Sequence, residues 1–175
     1  MKTALICTSL LCAAAAFGQR APASPPAQTE VEINGKKIAI KYSAPSVKGR
    51  QMLGAGGRIS QDPTYPVWRL GANSATTLHT DADLDINGLK VPAGDYTLFA
   101  LINADPWQFI VNKQTGQWGL AYKPDQDLGR VKMMMSKPSA PVETLKISLA
   151  SAGGNKGMLT VEFENTVAAV PFTVK

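Results

Sequence analysis

The fold class of this chain is decided by residues 31–42, which read VEINGKKIAIKY. Apolar residues occupy alternate positions on both sides of Asn34-Gly35, a dipeptide typical of the type I′ turn. The segment therefore predicts a β-hairpin with one buried and one exposed face. A second pair, Asn87-Gly88, stands between the short apolar runs 84–86 and 89–91 and predicts a second hairpin.

Further strand-like runs follow at short intervals, with turn residues between them and no helical stripe after the first residues. They cover 75–80, 96–102, 107–111, 128–135, 144–149, 158–163 and 167–174. Short strands without intervening helices predict an all-β single domain, either an antiparallel β-sandwich or a barrel-like sheet. Residues 44–60 are rich in glycine and carry no pattern, so they are predicted to form a long loop.

The N-terminus has the pattern of an export signal. A basic residue, Lys2, precedes an apolar run over 4–17 that ends in small residues, which predicts a signal peptide over residues 1–18 with cleavage after Gly18. The protein is then expected in the periplasm or outside the cell. Because the run is shorter than the roughly 20 residues of a membrane-spanning helix, no transmembrane segment is predicted. Residues 19–29 are rich in proline and alanine and predict a linker, and the folded domain is predicted over residues 30–175.

Composition excludes several classes of partner and site. Both cysteines, Cys7 and Cys12, lie in the predicted signal, so the exported chain would have no disulfide and no thiolate metal site. The formal charge of +5 falls to +4 without Lys2, and the basic residues are scattered. This pattern favours solubility over nucleic-acid binding. No nucleic acid and no cofactor is expected, and the sequence specifies no oligomeric state.

Two possible chemical sites are disfavoured by their details. The acidic run 81–88 resembles a calcium loop, but Ile86 and Pro92 stand where an EF-hand needs glycine and a bidentate glutamate. The run is better interpreted as a solvated strand face, so no metal site is predicted. His79 is the only histidine, and the chain has neither a nucleophile elbow nor a second histidine to share a zinc ion. No catalytic residue is assigned.

The densest group of distinctive residues is WRLGAN, at 68–73. Such a group forms either a structural corner or a binding site. In a pocket, Arg69 and Asn73 would bind an anionic or hydroxyl-rich ligand, with Trp68 or the loop residue Trp118 as a wall. Burial of the group would favour the corner, and a concave polar opening would favour the site.

The arginines offer a second hypothesis. Arg50, Arg69 and Arg130 each lie beside turn or loop residues, and Asp127 and Asn73 are natural partners for a partly buried guanidinium. They could form a buried polar network that fastens the loops of 44–73 to the sandwich. An enzymatic alternative also exists, in which Asp127 or Asp125 acts as the acid or base of an envelope hydrolase and Arg69 stabilises the anion.

Five motifs, taken together, resemble a known family. They are YSAPSVKGR at 42–50, VWRLGAN at 67–73, PAGDYTL at 92–98, WG at 118–119 and DLGRV at 127–131. In this order they are similar to the bacterial family known as domain of unknown function 2911, over residue 30 to the C-terminus. The resemblance implies an exported, mainly β bacterial domain and assigns no activity. Residues 53–65 are longer and richer in glycine than the usual connection in that family, so no ligand contact is carried over to them.

These observations favour a non-catalytic binding or interaction module of the cell envelope. The expected ligand is a carbohydrate or a small anion, and the expected binding residues are Trp68, Arg69, Asn73, Trp118, Asp127, Arg130 and Arg50. The alternatives are the envelope hydrolase and a purely structural protein.

Overall fold

The structure is a computed structural model of the chain and describes residues 23–175. Within these residues it contains β-strands and two 3₁₀ turns, at Arg58–Gln61 and Pro124–Gln126, and no α-helix. The strands are β1 (Pro26–Ile33), β2 (Lys36–Ser43), β3 (Val67–Trp68), β4 (Thr76–Thr80), β5 (Leu84–Ile86), β6 (Leu89–Val91), β7 (Gly94–Leu101), β8 (Gln108–Asn112), β9 (Asp127–Lys132), β10 (Met134–Ser136), β11 (Val142–Ser151), β12 (Lys156–Glu164) and β13 (Thr166–Val174).

The strands form two antiparallel sheets, which confirms the all-β prediction; the domain is not a closed barrel. The first sheet has the order β1-β2-β4-β7-β8-β9, with β3 also paired to β7. The second has the order β11-β12-β13-β5-β6, with β10 also paired to β13. Nothing helical in residues 23–175 has the length and apolar character that a membrane crossing requires.

Both predicted hairpins are confirmed. Ile33 pairs with Lys36 across the first turn, where Asn34 and Gly35 have φ of 53° and 72°, as a type I′ turn requires. The second turn, Asn87-Gly88, joins β5 to β6.

The predicted domain start is wrong by four residues. Strand β1 begins at Pro26, and residues 26–29 pair with 40–43 of β2, so this part of the expected linker belongs to the sheet. Proline is tolerated there because β1 is an edge strand and Pro26 is its first residue, where no ladder N–H is needed. The predicted signal peptide and its cleavage after Gly18 lie outside the described residues.

Apolar side chains from both sheets fill the space between them. The largest fully buried members are Trp68, Phe109 and Phe163, with Ile38, Ile40, Leu78, Leu84 and Leu98. A smaller cluster includes Val67 and Phe99, and Tyr122 packs on Phe99 with ring centroids 4.8 Å apart. The first sheet therefore also buries part of its other face.

The pairing along one side of β7 is interrupted. Strands β3 and β4 both pair with β7, through Trp68 opposite Ala100 and Thr76 opposite Leu98. Residues 69–75 leave the ladder between these two pairings and return to it. The WRLGAN group therefore begins in the sheet and continues as an excursion from it, which we call the 69–75 corner.

Candidate functional site

Trp68 holds the start of the 69–75 corner in the core. It is 1% exposed, stacks on Phe163 of the second sheet at 6.0 Å and meets Trp107 edge-on at 6.2 Å. Its indole N–H donates to the carbonyl of Gly71 at 3.2 Å, so the ring also fixes the turn that follows it. Trp68 therefore does not form a wall of an open pocket, one of the two roles that the sequence allows it.

The corner itself needs unusual backbone geometry. Leu70 and Asn73 have φ of 49° and 59°, a left-handed conformation that non-glycine residues seldom adopt. Thr76 supports it by donating its hydroxyl to the Leu70 carbonyl at 2.9 Å. A Cβ on Gly71 would lie 3.0 Å from the carbonyl oxygen of Ser43, so glycine there allows the corner to approach the end of β2.

The Trp118-Gly119 motif meets the corner directly. Gly119 donates its N–H to the carbonyl of Asn73 at 3.0 Å. A Cβ on Gly119 would overlap the Cδ of Arg69 and lie 2.7 Å from the Asn73 carbonyl oxygen. The glycine thus leaves room for the Arg69 stem, while Trp118 remains 55% exposed.

Arg69 leads from the corner into a cleft of about 250 Å³. Four basic residues line it, Lys48, Arg50, Arg58 and Arg69, together with one acidic residue, Asp62. Apolar side chains form much of the remaining wall, among them Pro45, Met52 and Ile59. We call this feature the cationic cleft. Its lining carries a formal charge of +3, which favours an anion.

The guanidinium of Arg69 is buried without adequate partners. The side chain is 14% exposed, and neither Nε nor Nη1 has a hydrogen-bond partner among residues 23–175. Asp62 Oδ2 lies 3.3 Å from Nη1, but the pair lacks the alignment of a hydrogen bond. Burial lowers the pKa of Arg69, and the charge of Asp62 only partly opposes this. Arginine still remains protonated in such a site, so the cleft holds a cation that needs acceptors.

The loop that carries the other three cations is fastened to the second sheet. Glu164, at the end of β12, accepts the backbone N–H groups of Met52 and Leu53, both at 2.7 Å. Glu143, in β11, accepts the N–H of Lys48 at 2.8 Å. The loop joins β2 to β3 of the first sheet, as Arg69 follows β3, but Glu143 and Glu164 hold it against the second sheet.

Glu164→Gln should loosen this loop. The amide keeps one acceptor oxygen and turns its NH₂ group toward the second backbone N–H, so one charge-assisted pair is lost and two donors face each other. We expect a loss of about 1–3 kcal/mol in the free energy of unfolding and faster amide exchange at Met52 and Leu53. Glu32→Gln, a change at an exposed β1 position, is the control. Unchanged exchange at both amides would contradict this role of Glu164.

Asp127 and Arg130 belong to a separate, satisfied network. The Asp127 carboxylate accepts hydrogen bonds from Asn112 at 2.9 Å, from the Tyr122 hydroxyl at 2.7 Å and from Arg130 at 2.8 and 2.9 Å. Burial, and then the bond to Asp127, raise the pKa of the Tyr122 hydroxyl well above its usual value. The expected pairing of Asp127 with a guanidinium is therefore present, but it fastens β9 to the segment before it and does not line the cleft.

The hydrolase arrangement is not assembled. Asp125 is exposed and accepts a hydrogen bond from Gln126. Neither Asp125 nor Asp127 is among the residues that line the cleft with Arg69. Both oxygens of Asp127 already accept hydrogen bonds, so its carboxylate is poorly placed to act as a base.

His79 lies on the exposed face of β4 between two carboxylates. Nδ1 is 2.8 Å from Asp95 and Nε2 is 3.0 Å from Asp81. These hydrogen bonds, first with Asp95 and then with Asp81, raise the pKa of His79, which favours the imidazolium over a neutral base. Across residues 23–175, no three His, Cys, Asp or Glu side chains are grouped so that they could hold a metal ion.

The structure divides the proposed binding residues into three groups. Arg50 and Arg69 line the cationic cleft; the Arg50 guanidinium donates to the carbonyls of Ser46 and Val47 at 2.8 and 3.0 Å and so braces the loop. Asp127 and Arg130 form the network beside β9. The third group lines neither feature: Trp68 is in the core, and the exposed residues are Asn73, within the corner, and Trp118, next to it.

Comparison with known proteins gives one match. No curated protein and no solved structure matches the chain. A family model described as "Protein of unknown function (DUF2911)" matches residues 24–172. This range includes the 69–75 corner, the cationic cleft from Ser24 onward and the network of Asp127. Because the match covers most of the 175 residues, the chain belongs to the DUF2911 family.

Proposed function

We propose that this protein is an exported, non-catalytic module that binds a small anionic ligand in the cationic cleft. The observation that carries the proposal is the Arg69 guanidinium, in which two buried nitrogens, Nε and Nη1, have no hydrogen-bond acceptor among residues 23–175. A buried donor without a partner destabilises a fold, and such groups are rare unless they serve a ligand. An anion in the cleft would supply the missing acceptors.

The surroundings of Arg69 support an anion over a neutral sugar. Lys48, Arg50 and Arg58 add three positive charges, against one negative charge from Asp62. Trp118, the exposed aromatic side chain expected to stack on a sugar, is not part of the lining. Glu143 and Glu164 hold the backbone of the loop that carries these cations, so the loop needs no ordering when a ligand arrives. Such preorganisation reduces the entropy lost on binding.

The size of the cleft also limits the ligand. Its volume of about 250 Å³ is slightly below the range of roughly 300–1,000 Å³ found for drug-sized ligands. A single small organic acid or one unit of a larger acidic molecule is therefore the expected occupant.

Export is supported by the signal-like pattern of residues 1–18 and by the absence of cysteine after that segment.

Isothermal titration calorimetry of the purified protein with sulfate, citrate and glucuronate at low ionic strength tests the proposal. At least one of these anions should bind, and its affinity should fall as salt is added. The double variant Lys48→Gln, Arg58→Gln should weaken that binding roughly tenfold, as expected for the loss of two partly exposed charges.

Lys113→Gln is the matched control, because Lys113 is exposed and does not line the cleft. It should leave the affinity unchanged. If none of the three anions binds, or if the double variant binds as tightly as the wild type, the cationic cleft is not the site.

A further inference from the structure

We infer that Asp62 makes the cationic cleft selective for a hydroxylated carboxylate of about the size of one sugar acid. The inference rests on the proposed function and adds the chemical class of the ligand. It depends on a carboxylate that is placed inside a site otherwise built for anions. Such a residue weakens the binding of a simple anion. Its position in the cleft therefore indicates which chemical groups the ligand must have besides its negative charge.

Asp62 is held firmly at this position. It follows the 3₁₀ turn Arg58–Gln61, donates its N–H to the Ile59 carbonyl at 3.1 Å, and accepts the N–H of Tyr65 on its own carbonyl at 2.9 Å. Its side chain is 21% exposed and lines the cleft. With the backbone fixed on both sides, the carboxylate is a permanent part of the wall.

Arg69 and Asp62 require opposite groups from a ligand. The guanidinium only donates hydrogen bonds, and an ionised carboxylate only accepts them. Oδ2 of Asp62 and Nη1 of Arg69 are 3.3 Å apart but poorly aligned, so the ion pair leaves Nη1 without a hydrogen bond, and Asp62 Oδ2 remains able to accept one from a ligand. A ligand with an acceptor beside a donor would satisfy both. A carboxylate with a hydroxyl group on a neighbouring carbon has this arrangement.

The rest of the lining agrees with this class. The other cations, Lys48, Arg50 and Arg58, favour a ligand with net negative charge. Pro45, Met52 and Ile59 offer apolar wall on which the C–H groups of a ring can pack. An anion with acceptors only, such as sulfate, would meet the charge of Asp62 and gain nothing from it. Selectivity of this kind arises from repulsion of the wrong ligand as well as attraction of the right one.

The test compares three probes by calorimetry on the full protein: glucuronate, cyclohexanecarboxylate and sulfate. Cyclohexanecarboxylate has the same ring size and charge as glucuronate but no hydroxyl groups. The wild type should bind glucuronate at least about tenfold more tightly than either other probe, since the others would displace water from Asp62 without donating a hydrogen bond to it in return. Asp62→Ala should reduce the preference over cyclohexanecarboxylate to less than about threefold.

Asp62→Asn removes the charge at nearly constant shape and should raise the affinity for sulfate about tenfold. Asp125→Asn, which removes an exposed carboxylate outside the cleft, should change neither the affinity for glucuronate nor the affinity for sulfate. Thermal unfolding of each variant confirms that it is folded.

The inference is overturned if the wild type binds cyclohexanecarboxylate or sulfate as tightly as glucuronate, or if Asp62→Asn leaves sulfate binding unchanged. In either case anion binding in the cleft, and so the proposed function, would stand. If neither these probes nor citrate binds to the wild type, the proposed function itself fails.

Discussion

Replacing Arg69 with methionine should abolish anion binding in the cationic cleft and leave the domain at least as stable as the wild type. Truncating one partner of a buried charged pair lowers affinity by about 2–5 kcal/mol, which is roughly 30-fold or more. The methionine side chain can follow the same path past Gly119 and has no charge to desolvate. Calorimetry with the tightest-binding anion measures the first effect, and urea denaturation measures the second.

The expected stability follows from the environment of the guanidinium. Its Nε and Nη1 atoms have no hydrogen-bond partner within residues 23–175, and the contact with Asp62 is poorly aligned. Replacing a whole buried ion pair by apolar groups of similar volume is often neutral or stabilising, by about 1–4 kcal/mol, whereas removing one partner destabilises a fold when the other charge stays buried. Asp62 loses its counter-charge in this variant, but it is more exposed than Arg69 and can be hydrated as the cleft opens to solvent.

The variant also separates the two hypotheses drawn from the sequence. If Arg69 held the loops in place through a buried network, methionine would lower the free energy of unfolding by several kcal/mol. A stable Arg69→Met protein that binds anions with wild-type affinity would contradict the site. A protein that loses both properties would favour the structural role. Arg58→Met, a change at an exposed cleft residue, controls for the added methionine and should reduce affinity only modestly.

Trp68→Ala should have the largest effect on stability, a loss of about 3–5 kcal/mol. The ring is almost completely buried between the sheets and contacts both Phe163 and Trp107. Its removal leaves a cavity and also frees the Gly71 carbonyl, which accepts the indole N–H. Since domains of this size are stable by about 5–15 kcal/mol in total, the variant should lose a large fraction of its free energy of unfolding.

Trp118→Ala is the matched control for Trp68→Ala. The indole of Trp118 is more than half exposed, so this change should alter stability by no more than about 0.5 kcal/mol. Urea denaturation followed by circular dichroism compares the two without depending on tryptophan fluorescence. Equal losses from both variants would show that the core position assigned to Trp68 is wrong.

The fold class and the hairpins could be predicted because their signals are local. Asn34-Gly35 and Asn87-Gly88 specify turns, and the alternation beside them specifies which face is buried. The same reasoning missed the start of β1 at Pro26, because proline and alanine have low strand propensity. The pairing of residues 26–29 with β2 decides their conformation.

The site was only partly predictable for a related reason. Arg50 and Arg69 were identified from the motifs, but Lys48 and Arg58 were not distinguished from other scattered cations. Glu143 and Glu164 contact the loop across 95 and 112 residues of sequence, and no local pattern reports such a contact. Asp62 was missed because its significance comes entirely from its distance to Arg69.

The sequence leaves two interpretations of the WRLGAN group open, a structural corner and a binding site. In the structure the group begins the 69–75 corner, and its Arg69 lines the cationic cleft. Successive side chains of an extended segment point to opposite sides, so Trp68 enters the core while Arg69 leads away from it into the cleft. Trp68, which is buried in the core, directly precedes Arg69, which carries the charge. The burial of Trp68 therefore limits how far the backbone of Arg69 can move.

Because the loop of the cationic cleft is fastened to the second sheet while Arg69 follows β3 of the first, an anion bound in the cleft would act as a non-covalent cross-link between the layers of the sandwich. Arg69 enters from the first layer, and Lys48 and Arg58 enter from a loop fastened to the second. Any opening of the sandwich that separates the layers would also disassemble the site, so binding and unfolding are thermodynamically linked. A ligand at 100 times its dissociation constant would then raise the free energy of unfolding by about 2.7 kcal/mol, and resistance to proteolysis would report the occupancy of the cleft.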